Sequence, residues 1–368
     1  MKILHILHEL KFSGAEIMYV DAAPAFREKG CELSVVATAP KLGEYAPYFE
    51  KAGYTIFHNP YPPIKRYLKR IIYHIRFIKF LKQHKYDVVH IHSSNAMWGM
   101  ALCAWVAGKR SVYTYHSVFS THFYSYPYHI WLRFTAKHIF KCRFQSISDS
   151  VYENEFKLYN NSTTKIYNWY SSNRYYPAIN GEKTIIREKL GISKDALVLI
   201  SVGGCSPGKR HSDIVKALPL ILKEYPNTIY LHLGTGTSLH EEISLTNELK
   251  LEEHIRFEGN QTDVRQYLIA SDIYLMPSKF EGISLTTIEA LACKVPSVLY
   301  NVPGLRDFNK TKECSILIDE NFEAMAKSVV QLFKDMNKQN EISNNGKNLV
   351  DEDYSLKTNV QKIYNFYL

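Results

Sequence analysis

The sequence predicts an α/β protein made of two doubly wound domains, each built on a parallel sheet. The 368 residues exceed what one hydrophobic core usually supports. Short apolar runs alternate with longer helix-like segments, which is typical of parallel sheets covered by helices. The alternation stops in a polar stretch at 168–183 and then starts again, so one such domain is expected on each side.

Before the polar stretch we expect five strands and four helices. Apolar runs predict strands at 2–7 (KILHIL), 33–38 (LSVVAT), 87–92 (DVVHIH), 111–115 (SVYTY) and 143–147. Helical spacing of apolar residues predicts helices at 15–28, 64–83, 95–107 and 126–140.

The same alternation follows the polar stretch. Strands are predicted at 196–202, 228–233, 255–257, 273–276 and 296–300. Helices are predicted at 211–224, 239–249, 264–270, 284–293 and 322–336. The domains are therefore assigned to 1–172 and 173–345, and residues 346–368 are expected to form a terminal helix that packs back on the first domain.

Composition excludes several classes of protein. With 46% hydrophobic and 22% charged residues, the chain is not disordered. Residues 1–180 hold 23 Lys+Arg and 11 Asp+Glu, whereas 181–368 hold 22 and 25, so the basic half predicts an anionic partner. The most apolar later window, 96–108, is shorter than the ~20 residues that span a bilayer. We therefore expect a soluble or peripheral protein.

The six cysteines are scattered and include no C-x-x-C pair. Zinc spacing is absent, and a chain of this size needs no disulfide framework. Free thiols in a reducing cytosol are expected.

The most informative segment is 277–293, PSKFEGISLTTIEALAC. A strand ends there, a loop carries Glu281 and Gly282, and a helix begins near Ser284. This order directs backbone N–H groups and the positive end of the helix dipole toward the space above the sheet, which suits a phosphate. Gly282 lets a ligand approach the backbone closely. Glu289 lies in an apolar helix, where a charge needs a reason, although a solvated glutamate remains the alternative.

This segment resembles the E-G-x-x-L-x-x-x-E-A signature of the GT4-type retaining glycosyltransferases, which have the GT-B fold. The matching residues are Glu281, Gly282, Leu285, Glu289 and Ala290. Other family landmarks resemble 13–16 (SGAE), 114–116 (TYH), 146–150 (SISDS), 168–177, 202–211 (VGGCSPGKRH) and 234–236 (GTG), in the same order. The resemblance implies two Rossmann-like domains that face each other across a cleft, the first binding the acceptor and the second the nucleotide sugar.

The resemblance also implies roles for individual residues. The donor diphosphate would be held by Lys209 and by backbone amides around Gly14 and at Ile283, Ser284 and Leu285. Glu289 would bind the ribose and Glu281 the donor sugar, with Gly282 beside it. His116 would donate to the sugar or the reacting centre, so His116, Glu281 and Lys209 are the candidate catalytic residues.

One position departs from the family. An arginine usually follows the glycine of the V-G-R motif, and this chain has Gly204 there. In the family that arginine and the lysine together hold the diphosphate. Our hypothesis is that Arg210, next to Lys209, restores the second positive charge; a solvated arginine at the helix start is the alternative.

No bound metal and no other cofactor are expected. Glycosyltransferases of the other major fold hold a cation with D-x-D, and Asp351, Glu352 and Asp353 match that pattern. The triplet lies in the polar tail rather than after a core strand, so we interpret it as a solvated acidic patch, and GT-B enzymes need no metal.

The segment 64–85 combines eight Lys+Arg with apolar residues at helical spacing and has no acid. Such a helix can lie on an anionic membrane, while its apolar stripe (Leu68, Ile71, Ile72, Ile75, Ile78 and Leu81) packs on the domain's sheet. The aromatic-rich segment 113–144 suits sugar stacking, a membrane interface or a large core. Together they predict a peripheral protein on the inner face of the plasma membrane and an acceptor linked to a polyprenyl diphosphate.

The predicted enzyme is a hexosyl- or N-acetylhexosaminyltransferase of surface polysaccharide biosynthesis (capsule, O-antigen or exopolysaccharide), with a UDP-sugar favoured over a GDP-sugar. One alternative is a sugar-nucleotide epimerase, which would turn over the donor alone. Another is a basic surface-binding protein with a disabled transferase site. Nucleic acid is disfavoured as a partner because no RNA-module signature occurs. A dehydrogenase is disfavoured because no G-x-G-x-x-G follows the first strand.

Overall fold

The computed structural model describes residues 1–118 and 125–368. The chain forms two compact units, one of Met1–Trp169 with Leu356–Leu368 and one of Tyr170–Ser355. Among the described residues, no helix combines the length and the apolarity that crossing a bilayer requires.

The first unit is a seven-stranded parallel sheet in the order β3-β2-β1-β4-β5-β6-β7. Its strands are β1 (Lys2–Leu7), β2 (Glu32–Ala37), β3 (Thr55–His58), β4 (Val88–Ile91), β5 (Arg110–Tyr115), β6 (Arg143–Ser146) and β7 (Thr164–Lys165). Its helices are α1 (Gly14–Glu28), α2 (Ala46–Lys51), α3 (Tyr67–His84), α4 (Met97–Val106), α5 (Tyr126–Phe134), which continues as a π-helical turn (Thr135–Ile139), and α6 (Asp149–Tyr159). The central strands are buried on both faces, as expected for a parallel sheet covered by helices.

The second unit is a six-stranded parallel sheet in the order β10-β9-β8-β11-β12-β13. Its strands are β8 (Leu197–Val202), β9 (Thr228–Leu233), β10 (Ile255–Gly259), β11 (Ile273–Met276), β12 (Ser297–Tyr300) and β13 (Ile316–Ile318). Its helices are α7 (Glu182–Lys189), α8 (His211–Leu222), α9 (Leu239–Glu248), α10 (Val264–Ala270), α11 (Leu285–Ala292), α12 (Phe322–Lys334) and α13 (Met336–Asp353).

The chain ends differ from the predicted domain limits. Helix α13 runs through the predicted start of the terminal helix at 346 and belongs to the second unit. Gly346 allows this packing, because a Cβ there would lie 2.6 Å from Leu291 Cδ2. The last helix, α14 (Leu356–Tyr367), belongs to the first unit, where the Tyr367 hydroxyl lies 2.6 Å from His90 Nδ1.

The ten predicted strands all occur, but short or polar elements escaped prediction. These are α2, β3, α6, β7, α7, β13 and most of α13. All six cysteines are buried and none forms a disulfide.

Candidate active site

Both sheets reverse their strand order once, and these reversals locate the candidate sites. The first unit reverses between β1 and β4, and the second between β8 and β11. In open parallel sheets, ligands bind outside the carboxyl ends of the strands where the order reverses. The loops that follow these four strands carry most of the residues predicted from the sequence.

In the second unit the reversal holds a pair of opposite charges. Lys209 follows β8 and Glu281 follows β11, and Lys209 Nζ lies 2.5 Å from Glu281 Oε1. Ser278 Oγ donates to the same carboxylate oxygen at 2.7 Å. The two loops are also joined directly, since the Lys279 amide donates to the Gly208 carbonyl at 2.8 Å. The pair is half-buried, so its lysine is positioned to meet an anion.

The loop that carries Glu281 is held from the opposite side by a glycine that the sequence analysis missed. The Glu281 amide donates to the Pro303 carbonyl at 3.1 Å. Gly304 has φ +81°, and a Cβ there would lie 2.4 Å from the Glu281 carbonyl oxygen. Only glycine fits a position with this φ and this close an approach.

Helix α11 begins where the signature predicts. Ser284 caps it, and its hydroxyl accepts a hydrogen bond from the Thr287 amide at 3.2 Å. Gly282 and Ile283 are buried beside this start. Glu289 lies on the partly exposed face of α11 with Leu285 and Thr286, at helical spacing, whereas the opposite face is buried. Glu289 is therefore accessible to a ligand.

Arg210, next to Lys209 in sequence, has ionic partners of its own. Its guanidinium pairs with Asp213 at 2.9 Å and with Glu320 at 2.8 Å, and it lies over the Tyr300 ring. Both Arg210 and Lys209 are thus ion-paired in this structure, and the hypothesis that Arg210 replaces the family arginine stays a prediction. The position of the missing arginine is open: a Cβ on Gly204 would meet only the Thr235 carbonyl oxygen, at 3.5 Å.

In the first unit, Gly14 is the first residue of α1, in the segment that follows β1. Ser13 precedes the helix in an extended conformation, and its hydroxyl donates to Glu16 in the first turn. Burial raises the pKa of the Glu16 carboxyl. The structure therefore places Gly14 at the positive end of a long helix.

His116 follows β5 and ends a chain of histidines. His116 Nε2 lies 2.9 Å from His92 Nδ1, and His92 Nε2 lies 3.1 Å from His5 Nδ1. Burial lowers the pKa of His116 to about 4 and that of His5 to about 3. The pKa of His92 is also lowered, first by burial and then by the neighbouring imidazoles. At neutral pH these three histidines are therefore uncharged. They can form hydrogen bonds, but they cannot attract a phosphate by charge.

Sequence reasoning missed the supporting residues of both sites. Ser278 and Gly304 carry no signal of their own in one sequence. The histidine chain did leave a signal in the sequence. His90 and His92 alternate along one predicted strand (DVVHIH), and the strand that pairs with it carries His5 (KILHIL).

Two doubly wound units, one of which has a lysine and the start of a helix where its strand order reverses, are typical of Rossmann-like enzymes that bind nucleotides. The comparisons make this class specific. The family model for glycosyl transferases group 1 matches residues 182–349, and that for glycosyltransferase family 4 matches residues 12–149. The chain belongs to these GT4-type glycosyltransferases and is a glycosyltransferase of the GT-B fold.

Known proteins resemble the chain over most of its length. The Escherichia coli UDP-Gal:alpha-D-GlcNAc-diphosphoundecaprenol alpha-1,3-galactosyltransferase is 26% identical over 80% of this chain and 78% of its own. The Staphylococcus aureus capsular polysaccharide biosynthesis glycosyltransferase CapH is 24% identical over 79% of this chain and 78% of its own. The crystal structure of Anabaena HepE with UDP and glucose superposes with a TM-score of 0.84 at 19% identity, covering 100% of this chain and 99% of that one.

Proposed function

We propose that the protein is a retaining glycosyltransferase that moves a sugar from a UDP-sugar to a glycan carried on a polyprenyl diphosphate, in surface polysaccharide biosynthesis. The observation that carries this proposal is the Lys209–Glu281 pair at the reversal of the second sheet. It offers one cation to a diphosphate and one carboxylate to sugar hydroxyls within a single half-buried site.

The proposed roles follow the residues' places in each unit. In the second unit, Lys209 and the backbone around Ile283, Ser284 and Leu285 bind the donor diphosphate. Glu281 binds the donor sugar, and Glu289 binds the ribose from the accessible face of α11. In the first unit, the start of α1 at Gly14 offers amides to a phosphate, and neutral His116 offers a hydrogen bond.

The transfer chemistry needs little beyond these groups. A nucleoside diphosphate is already a good leaving group, and a lysine beside it stabilises the charge that develops as the glycosidic bond breaks. We propose that the leaving phosphate assists deprotonation of the acceptor hydroxyl on the same face of the sugar, which retains the anomeric configuration. No metal is assigned to this step.

The relatives support the choice of donor and acceptor. The Anabaena HepE structure holds UDP and glucose. The E. coli relative is named for UDP-Gal as its donor and for a diphosphoundecaprenol-linked GlcNAc as its acceptor. We therefore infer a UDP-sugar donor and an acceptor of the same lipid-linked kind, on the inner face of the plasma membrane.

Helix α3 supports binding to a membrane surface. Leu68, Ile71, Ile72 and Ile75 are each at least half exposed. The prediction that the whole apolar stripe packs on the sheet is therefore wrong for the first turns of the helix. The buried face carries Tyr73 and Phe77, which the prediction did not include, and Leu81, which it did.

The exposed stripe of α3 is flanked by cations. The exposed basic side chains are Lys65, Arg66, Lys69, Arg76, Lys79 and Lys82. Each cation near an anionic surface contributes ~1 kcal/mol, and isoleucines that enter the bilayer interface add to this. Helix α3 therefore offers an apolar and cationic face to a membrane.

Helix α5 of the same unit also exposes aromatic residues. Trp131 and Phe134 of α5 are half exposed, and Trp131 stacks on Trp98 with ring centroids 5.8 Å apart. Amphipathic aromatic rings favour the membrane interface. The central part of the predicted aromatic segment, 119–124, lies outside the described residues.

Ligand binding and turnover test the enzymatic proposal. Thermal unfolding of the purified chain is measured with UDP, GDP, ADP and their sugar conjugates in buffer without added divalent cations. A nucleotide at 100 times its Kd adds ~2.7 kcal/mol of stability, and we expect this for UDP. UDP release should then require a polyprenyl-diphosphate-linked glycan. Donor turnover without acceptor would favour the epimerase alternative, and stabilisation by GDP alone would exclude a UDP donor.

Vesicle co-sedimentation tests the membrane surface. The chain should bind phosphatidylglycerol vesicles in a salt-sensitive manner, and Ile71→Glu with Ile72→Glu should weaken binding about tenfold or more. Ile185→Glu is the control for adding glutamate at an exposed isoleucine, because Ile185, on α7 of the second unit, is at least as exposed as Ile71 and Ile72. No binding by the unmodified chain, or an equal loss in the control, would contradict the proposal.

A further inference from the structure

A buried cluster of metal-ligating side chains lies beneath the loop that carries Lys209. It consists of Cys205 in that loop, His211 at the start of α8, His232 on β9 and Glu242 on α9. Their exposed fractions are 1%, 1%, 0% and 3%. Four elements thus direct a thiol, two imidazoles and a carboxylate into one closed space.

The spacing of the cluster is close to that of a tetrahedral ion site. Cys205 Sγ lies 3.1 Å from His232 Nε2, which lies 3.2 Å from Glu242 Oε2. His211 Nδ1 lies 3.7 Å from Glu242 Oε1, and one ligand atom from each residue lies within 4.8 Å of every other. Zinc bonds of about 2.0–2.3 Å separate tetrahedral ligand atoms by about 3.3–3.8 Å. The widest gap therefore needs to close by about 1 Å.

The hydrogen bonds of the cluster are incomplete without an ion. Within the part of the chain that the structure describes, neither ring nitrogen of buried His211 has a hydrogen-bond partner. Leaving a buried polar group unpaired is unfavourable, because the group has lost its hydrogen bonds to water. An ion bound to His211 Nδ1 would give this nitrogen a partner.

His232 is oriented as a metal-bound imidazole usually is. Its Nδ1 lies 2.9 Å from the Tyr230 hydroxyl and 3.2 Å from Ser201 Oγ. These hydroxyls fix the ring so that Nε2 points at Cys205 and Glu242. Ligating histidines typically bind a second group through their other nitrogen in this way.

We propose that Cys205, His211, His232 and Glu242 bind one structural zinc ion. The thiolate and the carboxylate together balance the charge of Zn²⁺, and the thiol proton leaves to solvent on binding. A thiolate with two imidazoles suits zinc better than the hard cations Mg²⁺ or Ca²⁺. Four protein ligands leave no open position, so the ion supports the fold and takes no part in the transfer reaction.

The ion would anchor the loop that presents Lys209. Cys205 precedes Lys209 by four residues, and its amide donates to the Thr235 carbonyl at 3.0 Å. Zinc would tie this loop to β9, α8 and α9 at once. The expectation that the chain binds no metal followed from the resemblance to GT-B enzymes and from the position of the D-x-D triplet, and no zinc spacing was found among the cysteines. These four ligands instead come from four separate elements between 205 and 242.

Metal analysis of the full chain, with any affinity tag removed, tests the site. After dialysis against zinc and then against metal-free buffer, we expect one zinc per chain. Replacing zinc with Co²⁺ should produce a thiolate-to-cobalt charge-transfer absorption. Cys205→Ser should abolish that absorption, and Cys314→Ser, at another buried cysteine of the same unit, should keep it.

The outcomes separate a zinc site from a hydrogen-bonded cluster. A folded chain that retains no zinc and shows no charge-transfer absorption overturns the proposal. Undiminished cobalt absorption in folded Cys205→Ser overturns it as well. Glu242→Gln keeps the shape of the side chain, so at least a tenfold weaker zinc affinity in that variant supports the site even if Cys205→Ser fails to fold. The other histidine cluster, His5, His90 and His92, contains no thiol and cannot give this absorption.

Discussion

The two units share one strand order at the reversal of their sheets but fill it with different chemistry. In the second unit, strands β8 and β11 pair through apolar residues, Leu199 with Ile273 and Ile200 with Tyr274. The charged residues Lys209 and Glu281 lie in the loops that follow these strands. In the first unit His5 and His90 pair across β1 and β4 inside the sheet. The strand order therefore determines where a site can form, and the loops and burial determine whether it carries charge.

This difference suits two tasks. A half-buried lysine can hold a diphosphate and stabilise it as it leaves. Neutral imidazoles can position a sugar or an acceptor through hydrogen bonds without attracting a second anion. Substitutions made separately in each unit can test whether the second unit supplies the charge and the first unit the neutral hydrogen bonds.

The largest expected effect is the removal of the cation. If Lys209 holds the donor diphosphate as proposed, Lys209→Ala should lower kcat/KM about 10²–10³-fold, because the diphosphate would lose its charged partner as the bond breaks. Steady-state kinetics with a UDP-sugar measures this. Lys279→Ala, an exposed lysine in the loop after β11, removes the same charge and should change kcat/KM less than twofold. An equal loss in both variants would mean that net charge, not the pair, binds the donor.

The sequence revealed the charged site better than the neutral one, for a physical reason. Glu281, Gly282 and Glu289 lie within nine residues on one strand-loop-helix unit, so local order fixes their geometry. His5, His92 and His116 meet only because three strands pair in a sheet, and nothing local links them. The same applies to Arg210, whose partner Glu320 is 110 residues away.

Burial was the other quantity that the sequence did not reveal. The spacing of Leu68, Ile71 and Ile75 predicts an amphipathic helix correctly, but it does not say which face the unit covers. The packed face consists of the aromatic residues Tyr73 and Phe77 and of Leu81, the last residue of the predicted stripe. Apolar spacing therefore predicted the helix, but the orientation of the helix follows from which side chains are buried.

The second expected effect concerns pH and the histidine chain. The pKa of His5 is about 3 in the folded chain and ~6.5 when unfolded. The unfolded state therefore binds more protons below pH 6.5, and stability falls as the pH drops from 6.5 toward 3. At pH 5, His5 alone accounts for about 2 kcal/mol of this loss. His90, His92 and His116 add to it, because their pKa values are lowered as well.

Replacement of His5 isolates its part of the acid sensitivity. His5→Phe keeps a ring beside Tyr19, whose centroid lies 4.6 Å away, and removes one proton acceptor. The decline in the free energy of unfolding between pH 6.5 and 5 should become shallower, as measured by urea denaturation at several pH values. A decline as steep as that of the unmodified chain would show that His5 does not stay neutral in the fold.

A smaller effect is expected from restoring the family arginine. Gly204 lies outside the left-handed region, and a Cβ there meets nothing closer than 3.5 Å. Gly204→Arg should tighten UDP binding about fivefold, since a charge-assisted hydrogen bond gains about 1.5–3 kcal/mol and the side-chain entropy offsets part of it. Calorimetric titration measures this, with Gly204→Gln as the uncharged control. An equal gain in both variants would rule out a charge effect.

The smallest expected effect is at Arg210, and it decides whether the second unit offers one cation or two to the donor. The Arg210 guanidinium is already paired with Asp213 and Glu320, so Arg210→Ala should leave UDP affinity unchanged within about twofold and cost at most about 1 kcal/mol of stability. Glu320→Gln frees one side of the guanidinium and should leave the affinity equally unchanged. A tenfold weaker UDP binding in Arg210→Ala, together with stronger binding in Glu320→Gln, would give the opposite answer. Arg210 would then leave its carboxylate partners to bind the diphosphate, and it would replace the arginine that the family has at the position of Gly204.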